Sequence, residues 1–179
     1  MIESDAIRVL NLGSGRDHIE GAINLDIAAA SEPHVIADLN HSLPFPDNTF
    51  DAVYCKDVIE HVENIVKVME EIHRILRPSA RLHITTPHYS CSNSYEDPTH
   101  RWHLGFFSMD MFCDENAKTF FTKASFKKIH STLVFQPKRK NMLARRIARR
   151  NPRFYEEHLA WIFPAWFMMF ELEALKPPK

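Results

Sequence analysis

From Pro87 to His103 the chain strings together His88, Tyr89, Ser90, Cys91, Ser92, Asn93, Ser94, Tyr95, Glu96, Asp97, Thr99, His100, Arg101, Trp102 and His103. Few other stretches are so dense in groups that bind polar molecules or move protons. Histidine titrates near pH 6.5, and a neighbouring carboxylate can orient it as a base. His100 with Asp97 is the expected proton-transferring pair, His88 is an alternate, and Tyr89 and His103 are expected to bind an acceptor molecule. Asp97-Pro98-Thr99-His100 also reads as a turn held by its own side chains, so both readings stand. As metal ligands, His88, Cys91, His100 and His103 have gaps of three, nine and three residues, which match no common zinc-finger spacing. No metal is expected.

A second group lies nearer the start. Arg8-Val9-Leu10-Asn11-Leu12 runs into Gly13-Ser14-Gly15, as a buried strand feeding a glycine turn would. A nicotinamide dinucleotide site would need a third glycine where His18 stands, and an acid about 20 residues on. Asp26 follows Gly15 by only eleven residues, too few for a full helix and a strand. A pyrophosphate cradle is therefore poorly supported. S-adenosylmethionine carries no phosphate, so a short loop suffices if Asp26 meets its ribose diol and Asp38 its adenine. Taken singly, these glycines and acids also read as ordinary turn residues.

The elements that must position these groups alternate in type. Residues 22–27 and 35–38 are expected strands two and three, and 50–55 is strand four after the turn-forming Leu43–Asn48 stretch. Val58, Ile59, Val62, Ile65, Val66, Met69, Ile72 and Leu76 fall at helical spacing. Asp57 and Glu60 have capping-box spacing, and Pro78 stops the run. One helix over 58–76 is predicted, with Glu60 and His61 either capping it or facing a pocket. Arg81–Thr86 alternates as a fifth strand, and 129–135 and 167–175 have strand character. Strands joined by crossovers imply a mostly parallel sheet, whose ligands bind beyond the carboxyl ends of its strands.

Six words in sequence carry a resemblance. They are Leu-Asn-Leu-Gly-Ser-Gly, Ile-Asn-Leu-Asp-Ile, Ala-Asp-Leu, Leu-Pro-Phe-Pro-Asp-Asn-Thr-Phe-Asp-Ala-Val-Tyr, Val-Ile-Glu-His-Val and Ile-His-Arg-Ile-Leu-Arg-Pro-Ser-Ala-Arg-Leu, spread from residue 8 to about 87. In order and spacing this resembles the class I S-adenosylmethionine-dependent methyltransferases of the type 11 group. The resemblance implies an α/β, Rossmann-like three-layer sandwich with a mostly parallel seven-stranded sheet of order 3-2-1-4-5-7-6, the last strand antiparallel. It implies S-adenosyl-L-methionine as cofactor, with Gly13, Ser14 and Gly15 facing its methionyl part. Asp26 and Ile27 would meet the ribose and Asp38 and Leu39 the adenine. Cys55, Lys56 and Asp57 would line the same pocket, with His61 near it. Asp17 stands where many relatives have a third glycine, and the first helix is truncated.

The 179 residues fit one domain, with a basic helical insertion expected at about 138–160. Apolar residues make up 45% and charged residues 25%, which points to neither a disordered nor a membrane class. The longest apolar stretch, Leu159 to Phe170, is twelve residues with a proline, where a bilayer span needs ~20. Three cysteines at irregular spacing and the lack of a leader pattern suggest a cytoplasmic setting. Net charge is −1, yet residues 1–115 carry 19 acids against 8 bases, and 116–155 carry 12 bases and no acid. Lys138, Arg139, Lys140, Arg145, Arg146, Arg149, Arg150 and Arg153 fall mostly at helical spacing. They form either a solvated face or a peripheral membrane contact beside Trp161, Ile162, Phe163, Trp166 and Phe167. The aromatics lie beyond the basic residues rather than among them, a pattern that does not suit nucleic acid. The acceptor is expected to be a small molecule, a sugar or a lipid-linked compound, methylated at oxygen in the first place, with nitrogen or carbon as the alternatives. The rival reading is a non-catalytic adaptor of the same fold that binds a membrane surface or an anionic partner.

Overall fold

The computed structural model describes residues 7–113, 121–137 and 141–176. Seven strands form one sheet: β1 Val9–Leu12, β2 Ile23–Asp26, β3 Val35–Ile36, β4 Phe50–Lys56, β5 Leu76–Pro87, β6 Phe126–Val134 and β7 Phe167–Ala174. Their order is β3-β2-β1-β4-β5-β7-β6. All neighbouring pairs are parallel except those of β7, which runs antiparallel to both β5 and β6. The expected order and the reversed last strand are both present.

One sheet face is the core. Leu10, Leu12, Val53, Cys55, Leu82, Ile84, Phe170 and Leu172 are all within 2% of full burial and pack with Met69, Ile72 and Ile75 of α1 (Ile65–Ile75). The alternate residues of β4, β5 and β7 are half-exposed. Tyr54 stacks on His83 at 4.7 Å, and Arg81 pairs with Glu171 and Glu173. Parallel sheets usually bury both faces under helices. Here the β1–β2 crossover contains no α-helix, and the β2–β3 crossover has only a 3-10 turn at Ala29–Ser31.

Buried amides replace the missing first helix. Asn11 donates from Nδ2 to the Asp17 carbonyl and to Asn24 Oδ1, both at 2.9 Å, and Asn24 Oδ1 also accepts the Ile19 N–H. The 13–22 loop is thereby pinned over β1. Its truncation, read from the short Gly15–Asp26 spacing, has this physical basis.

The predicted helix over 58–76 is corrected. It begins at Ile65, with Asn64 as the cap, accepting the Lys67 N–H at 3.1 Å. Asp57 is no cap; its φ of 54° lies in the left-handed region. A continuous helix would bond the Glu60 carbonyl to residue 64. That carbonyl instead accepts the N–H groups of Arg101 and Trp102 at 2.8 and 3.2 Å. Ile59 and Val62 are buried from a turn, so the apolar spacing imitated a helix that the backbone does not form.

The histidine-rich loop contains one helical turn, α2 (Asn93–Glu96), and the basic segment folds as α3 (Met142–Arg150) and α4 (Pro152–His158). Ala144, Ala148 and Tyr155 pack on Phe135, Ala160 and Ala165 in a second small core. Lys138, Arg139 and Lys140 lie outside the described residues. No helix among the described residues is long and apolar enough to cross a membrane.

Candidate functional site

The carboxyl ends of β1, β2 and β3 open on a cleft of about 310 Å³, lined by Gly13, Leu25, Asp26, Ile27, Ala37, Asp38, Leu39, Asn40, Asp57, Val58, His61 and Val62. Gly13 sits at φ 61°, and a Cβ there would come within 2.3 Å of Val58 Cγ2. Only glycine lets the turn pass so close to the 58–62 segment. At the tip of β2, Asp26 accepts the Gly15 N–H through Oδ2 and the Ala28 N–H through Oδ1, each at 2.8 Å. Each carboxylate oxygen has a further lone pair, so Asp26 can hold the loop and still accept ligand hydroxyls. Asp38 accepts the backbone and side-chain N–H groups of Asn40. These bonds, above all the backbone one, hold its carboxyl below the ordinary range.

Seven of the eleven expected cofactor residues, Gly13, Asp26, Ile27, Asp38, Leu39, Asp57 and His61, line the cleft; Ser14, Gly15, Cys55 and Lys56 do not. Ser14 is buried in the turn, its N–H donating to the Leu25 carbonyl, and Gly15 makes the bond to Asp26. Strand alternation puts Cys55 in the core, where burial pushes its thiol up to about 12. Lys56 points out and pairs with Asp17 at 2.7 Å, which lowers the Asp17 carboxyl below its usual value. Leu25, Ala37, Asn40, Val58 and Val62 complete the lining; nothing in the sequence marks Asn40, and the apolar spacing of Val58 and Val62 is equally that of core packing.

The histidine loop closes over the 58–62 turn. Besides the two bonds to the Glu60 carbonyl, Trp102 Nε1 donates to the Val62 carbonyl at 2.7 Å. This carries His100 to Glu60, with Nε2 4.0 Å from Oε1. The expected His100–Asp97 pairing is corrected: the Asp97 carboxylate accepts the Thr99 N–H and hydroxyl, and its link to His100 is a backbone bond, His100 N–H to the Asp97 carbonyl. Asp97 instead reaches His61, because the Thr99 oxygen lies 2.9 Å from His61 Nδ1.

Glu60 is 1% exposed. Its Oε2 accepts the Thr86 hydroxyl at 3.0 Å, while Oε1 and Asp57 Oδ1 are both buried without a hydrogen-bond partner. Burial, with a smaller push from the Asp57 charge, lifts the Glu60 carboxyl to about 7. Burial likewise raises Asp57 and lowers His61. The sequence offers Glu60 only as a cap or a pocket wall; the sign of its burial is a carboxylate flanked by Val58, Ile59 and Val62.

Other loop residues go elsewhere. His88 is fully buried. Its Nδ1 accepts the Ser90 N–H, which leaves Nε2 to donate to Glu156 Oε1 at 3.1 Å. Tyr89 donates its hydroxyl to the Glu156 carbonyl, and His103 meets the Ser94 hydroxyl and stacks on Tyr95. His88 and Tyr89 thus tie the end of β5 to α4. A larger open groove of about 830 Å³ lies beside α1, lined by Lys67, Glu70, His73 and Arg74 among others. It shares only Leu39 and Asn40 with the cleft and has none of the groups at the ends of β1 and β2, and Arg74 and Glu71 there neutralise each other, so the smaller cleft is the better ligand site.

The fit to S-adenosylmethionine can be judged on these groups. The volume is at the low end for small-molecule sites. Ile27, Leu39, Val58 and Val62 provide apolar walls for a base, Asp26 has spare acceptor capacity for a diol, and Asp57 Oδ1 is an orphaned polar atom. The residues fit the group.

Residues 15–84 match the family model described as a methyltransferase domain. An uncharacterized protein of Methanocaldococcus jannaschii is 49% identical over 51 residues, 28% of this chain and 22% of that protein. A demethylmenaquinone methyltransferase of Symbiobacterium thermophilum is 46% identical over 39 residues, 22% of this chain and 16% of that enzyme. These alignments span about a fifth of the relatives' own length. A solved S-adenosylmethionine-dependent methyltransferase of Archaeoglobus fulgidus superposes with a TM-score of 0.57 at 19% identity, covering 93% of this chain and 86% of that one, a likeness of fold. Residues 15–84 therefore carry a methyltransferase domain, and the chain has the fold of the class I S-adenosylmethionine-dependent methyltransferases.

Proposed function

We propose that this chain binds S-adenosyl-L-methionine in the 310 Å³ cleft and transfers its methyl group to an oxygen of a small-molecule, sugar or lipid-linked acceptor. The observation that carries the reading is the Asp26 carboxylate. It stands at the tip of β2, already locked by Gly15 and Ala28, and faces the cleft with spare acceptor capacity. When bound, the cofactor supplies a methyl group on a positively charged sulfur.

The residues then have separate tasks. Asp26 accepts the ribose hydroxyls, Ile27 and Leu39 flank the adenine, and Asp38 accepts from its amino group. Gly13 keeps the backbone close on the methionyl side. The acceptor hydroxyl enters beside Glu60, His61 and His100. With the donor bound, His100 Nε2 would take the proton that the acceptor hydroxyl loses as its oxygen displaces the neutral thioether from the methyl group. Fixing the oxygen in line with the methyl group can supply ~7–11 kcal/mol of the barrier lowering.

One surface favours a second reading, the non-catalytic adaptor at a membrane or anionic partner. Arg145, Arg146, Arg149 and Arg150 line a shallow groove on α3, and Met142, Leu143, Trp161 and Ile162 are each at least 65% exposed. In the catalytic reading the same surface receives a lipid-linked acceptor. Calorimetric titration with S-adenosylmethionine separates the two: the enzyme binds it, and an adaptor with an empty cleft gives no heat. Transfer of labelled methyl groups to cell extracts, with and without anionic vesicles, then tests the acceptor class. Label in no acceptor fraction, despite donor binding, would overturn the transferase reading.

A further inference from the structure

Among the described residues, Glu60, His61 and His100 each present one ligand-type atom, and these three atoms lie within 4.8 Å of one another. Hydrogen bonding decides how each ring is protonated. His100 Nδ1 is 3.2 Å from the Ser94 carbonyl. A carbonyl only accepts, so His100 carries its proton on Nδ1 and turns a lone pair on Nε2 toward Glu60 Oε1, 4.0 Å away. The Thr99 hydroxyl donates to Asp97 Oδ1 at 2.7 Å, so its oxygen accepts from His61 Nδ1. His61 therefore also keeps its free lone pair on Nε2.

The His100 Nε2 lone pair and an unpaired carboxylate oxygen therefore face one another, and the His61 ring stands edge-on to His100 with its centroid 4.6 Å away and a ring nitrogen within 4.8 Å of both ligand atoms. Glu60 Oε1 is buried without a hydrogen-bond partner, and the residue is 99% buried. An isolated buried carboxylate is costly unless a cation or donor answers it. Metal-binding histidines in general hand their second N–H to a carbonyl, a carboxylate or a relay to one, and here His100 has Ser94 and His61 has Thr99 with Asp97 behind it.

We propose that Glu60, His61 and His100 form a binding site for one divalent transition-metal ion, zinc in the first instance, at the end of the donor cleft. Two nitrogens and one carboxylate leave coordination positions open and suit zinc or iron(II). Magnesium and calcium prefer all-oxygen sets, so they fit poorly. In a tetrahedral site, bonds of about 2.0–2.1 Å set ligand atoms about 3.4 Å apart. The His100 Nε2–Glu60 Oε1 pair, 4.0 Å apart in the free chain, must draw together by about 0.6 Å, and the His61 nitrogen closes with it, through rotation of the Glu60 carboxylate and tilt of the partly exposed His61 ring. Resting on the methyl-transfer reading only for its role, the ion would hold the acceptor oxygen in an open position beside the methyl group and lower its pKa; with the ion bound, His100 Nε2 is a ligand and no longer takes the hydroxyl proton, which leaves to water instead.

Metal binding is testable without acceptor or turnover. The chain is stripped with chelator, dialysed and titrated with cobalt(II), followed by its visible absorption, and with zinc(II) in competition with a chromophoric chelator. One equivalent per chain is expected, with magnesium failing to displace it. Glu60→Gln should weaken binding at least about 100-fold. It removes a buried charge, so loss of fold is not the expected complication, and circular dichroism checks this. Thr99→Val, which leaves all three ligands in place, should weaken binding about 10-fold or more through His61. No saturable binding to the unmodified chain, or binding unchanged in Glu60→Gln, would overturn the site. S-adenosylmethionine titrations with and without metal keep the two claims apart: donor binding without metal binding refutes only the site, and metal binding without donor binding refutes only the methyl-transfer reading.

Discussion

Replacing Asp26 is the most informative perturbation of the cleft. In the free chain its carboxylate accepts two backbone N–H groups at 2.8 Å, from Gly15 and Ala28, and on the proposed reading it accepts two ribose hydroxyls as well. Hydrogen bonds to a charged group contribute about 1.5–3 kcal/mol each. Asp26→Ala should therefore weaken S-adenosylmethionine binding by about 3–6 kcal/mol, at least about 100-fold in Kd. Loop disorder alone could mimic part of that loss. Asp26→Asn is the companion variant, because its amide oxygen can still hold one of the two backbone N–H groups while one ribose acceptor disappears; about 1.5–3 kcal/mol is expected. Isothermal titration with S-adenosylmethionine and S-adenosylhomocysteine measures both, with thermal unfolding as the folding control. Folded variants that bind within about threefold of the unmodified chain would refute the ribose assignment.

Gly13→Ala meets Val58 Cγ2 at 2.3 Å from a left-handed φ of 61°; a destabilisation of about 2–4 kcal/mol is expected in chemical denaturation, and an unchanged midpoint would contradict the close approach. In metal-free chain, the Glu60 carboxyl is raised from 4.5 to about 7 by burial, so the folded state binds more protons than the unfolded one between those values. Stability should fall by about 3 kcal/mol as pH rises through that window, and Glu60→Gln should flatten the fall. Thermal unfolding in chelator at pH 5 and pH 8 measures this, and parallel curves for the two proteins would count against it. His100→Ala should lower turnover by about 10²–10⁴-fold while sparing donor affinity; full retained activity would remove His100 from the mechanism.

Strand positions were readable because each ends in a feature with a physical meaning. β1 feeds a glycine that must be glycine, β2 ends on an acid that caps the next turn, and β5 ends at Pro87, where the ladder with β7 also ends. The start of α1 was not readable, because Ile59 and Val62 bury themselves from a non-helical segment, and Val58 faces the cleft from it, at spacing that a helix would also give. What stops the helix there is a long-range event, the Glu60 carbonyl bonding Arg101 and Trp102. The same event explains the site. Asp97 and His100 are neighbours in sequence, yet Asp97 turns to Thr99 and His61, and His100 to Glu60, forty residues back. Local spacing identified the chemistry-bearing loop but not its partners. The exposed strand face was hidden for a related reason: the short Gly15–Asp26 spacing signals a missing helix, but not that asparagines at 11 and 24 take its place over β1.

A crystal structure of the chain with S-adenosylhomocysteine tests the donor cleft most directly. Density is expected at the ends of β1, β2 and β3, with the ribose hydroxyls within hydrogen-bond distance of Asp26 and the base between Ile27 and Leu39. A cleft closed by its own side chains at saturating ligand, or a ligand bound elsewhere with Asp26 untouched, would contradict it.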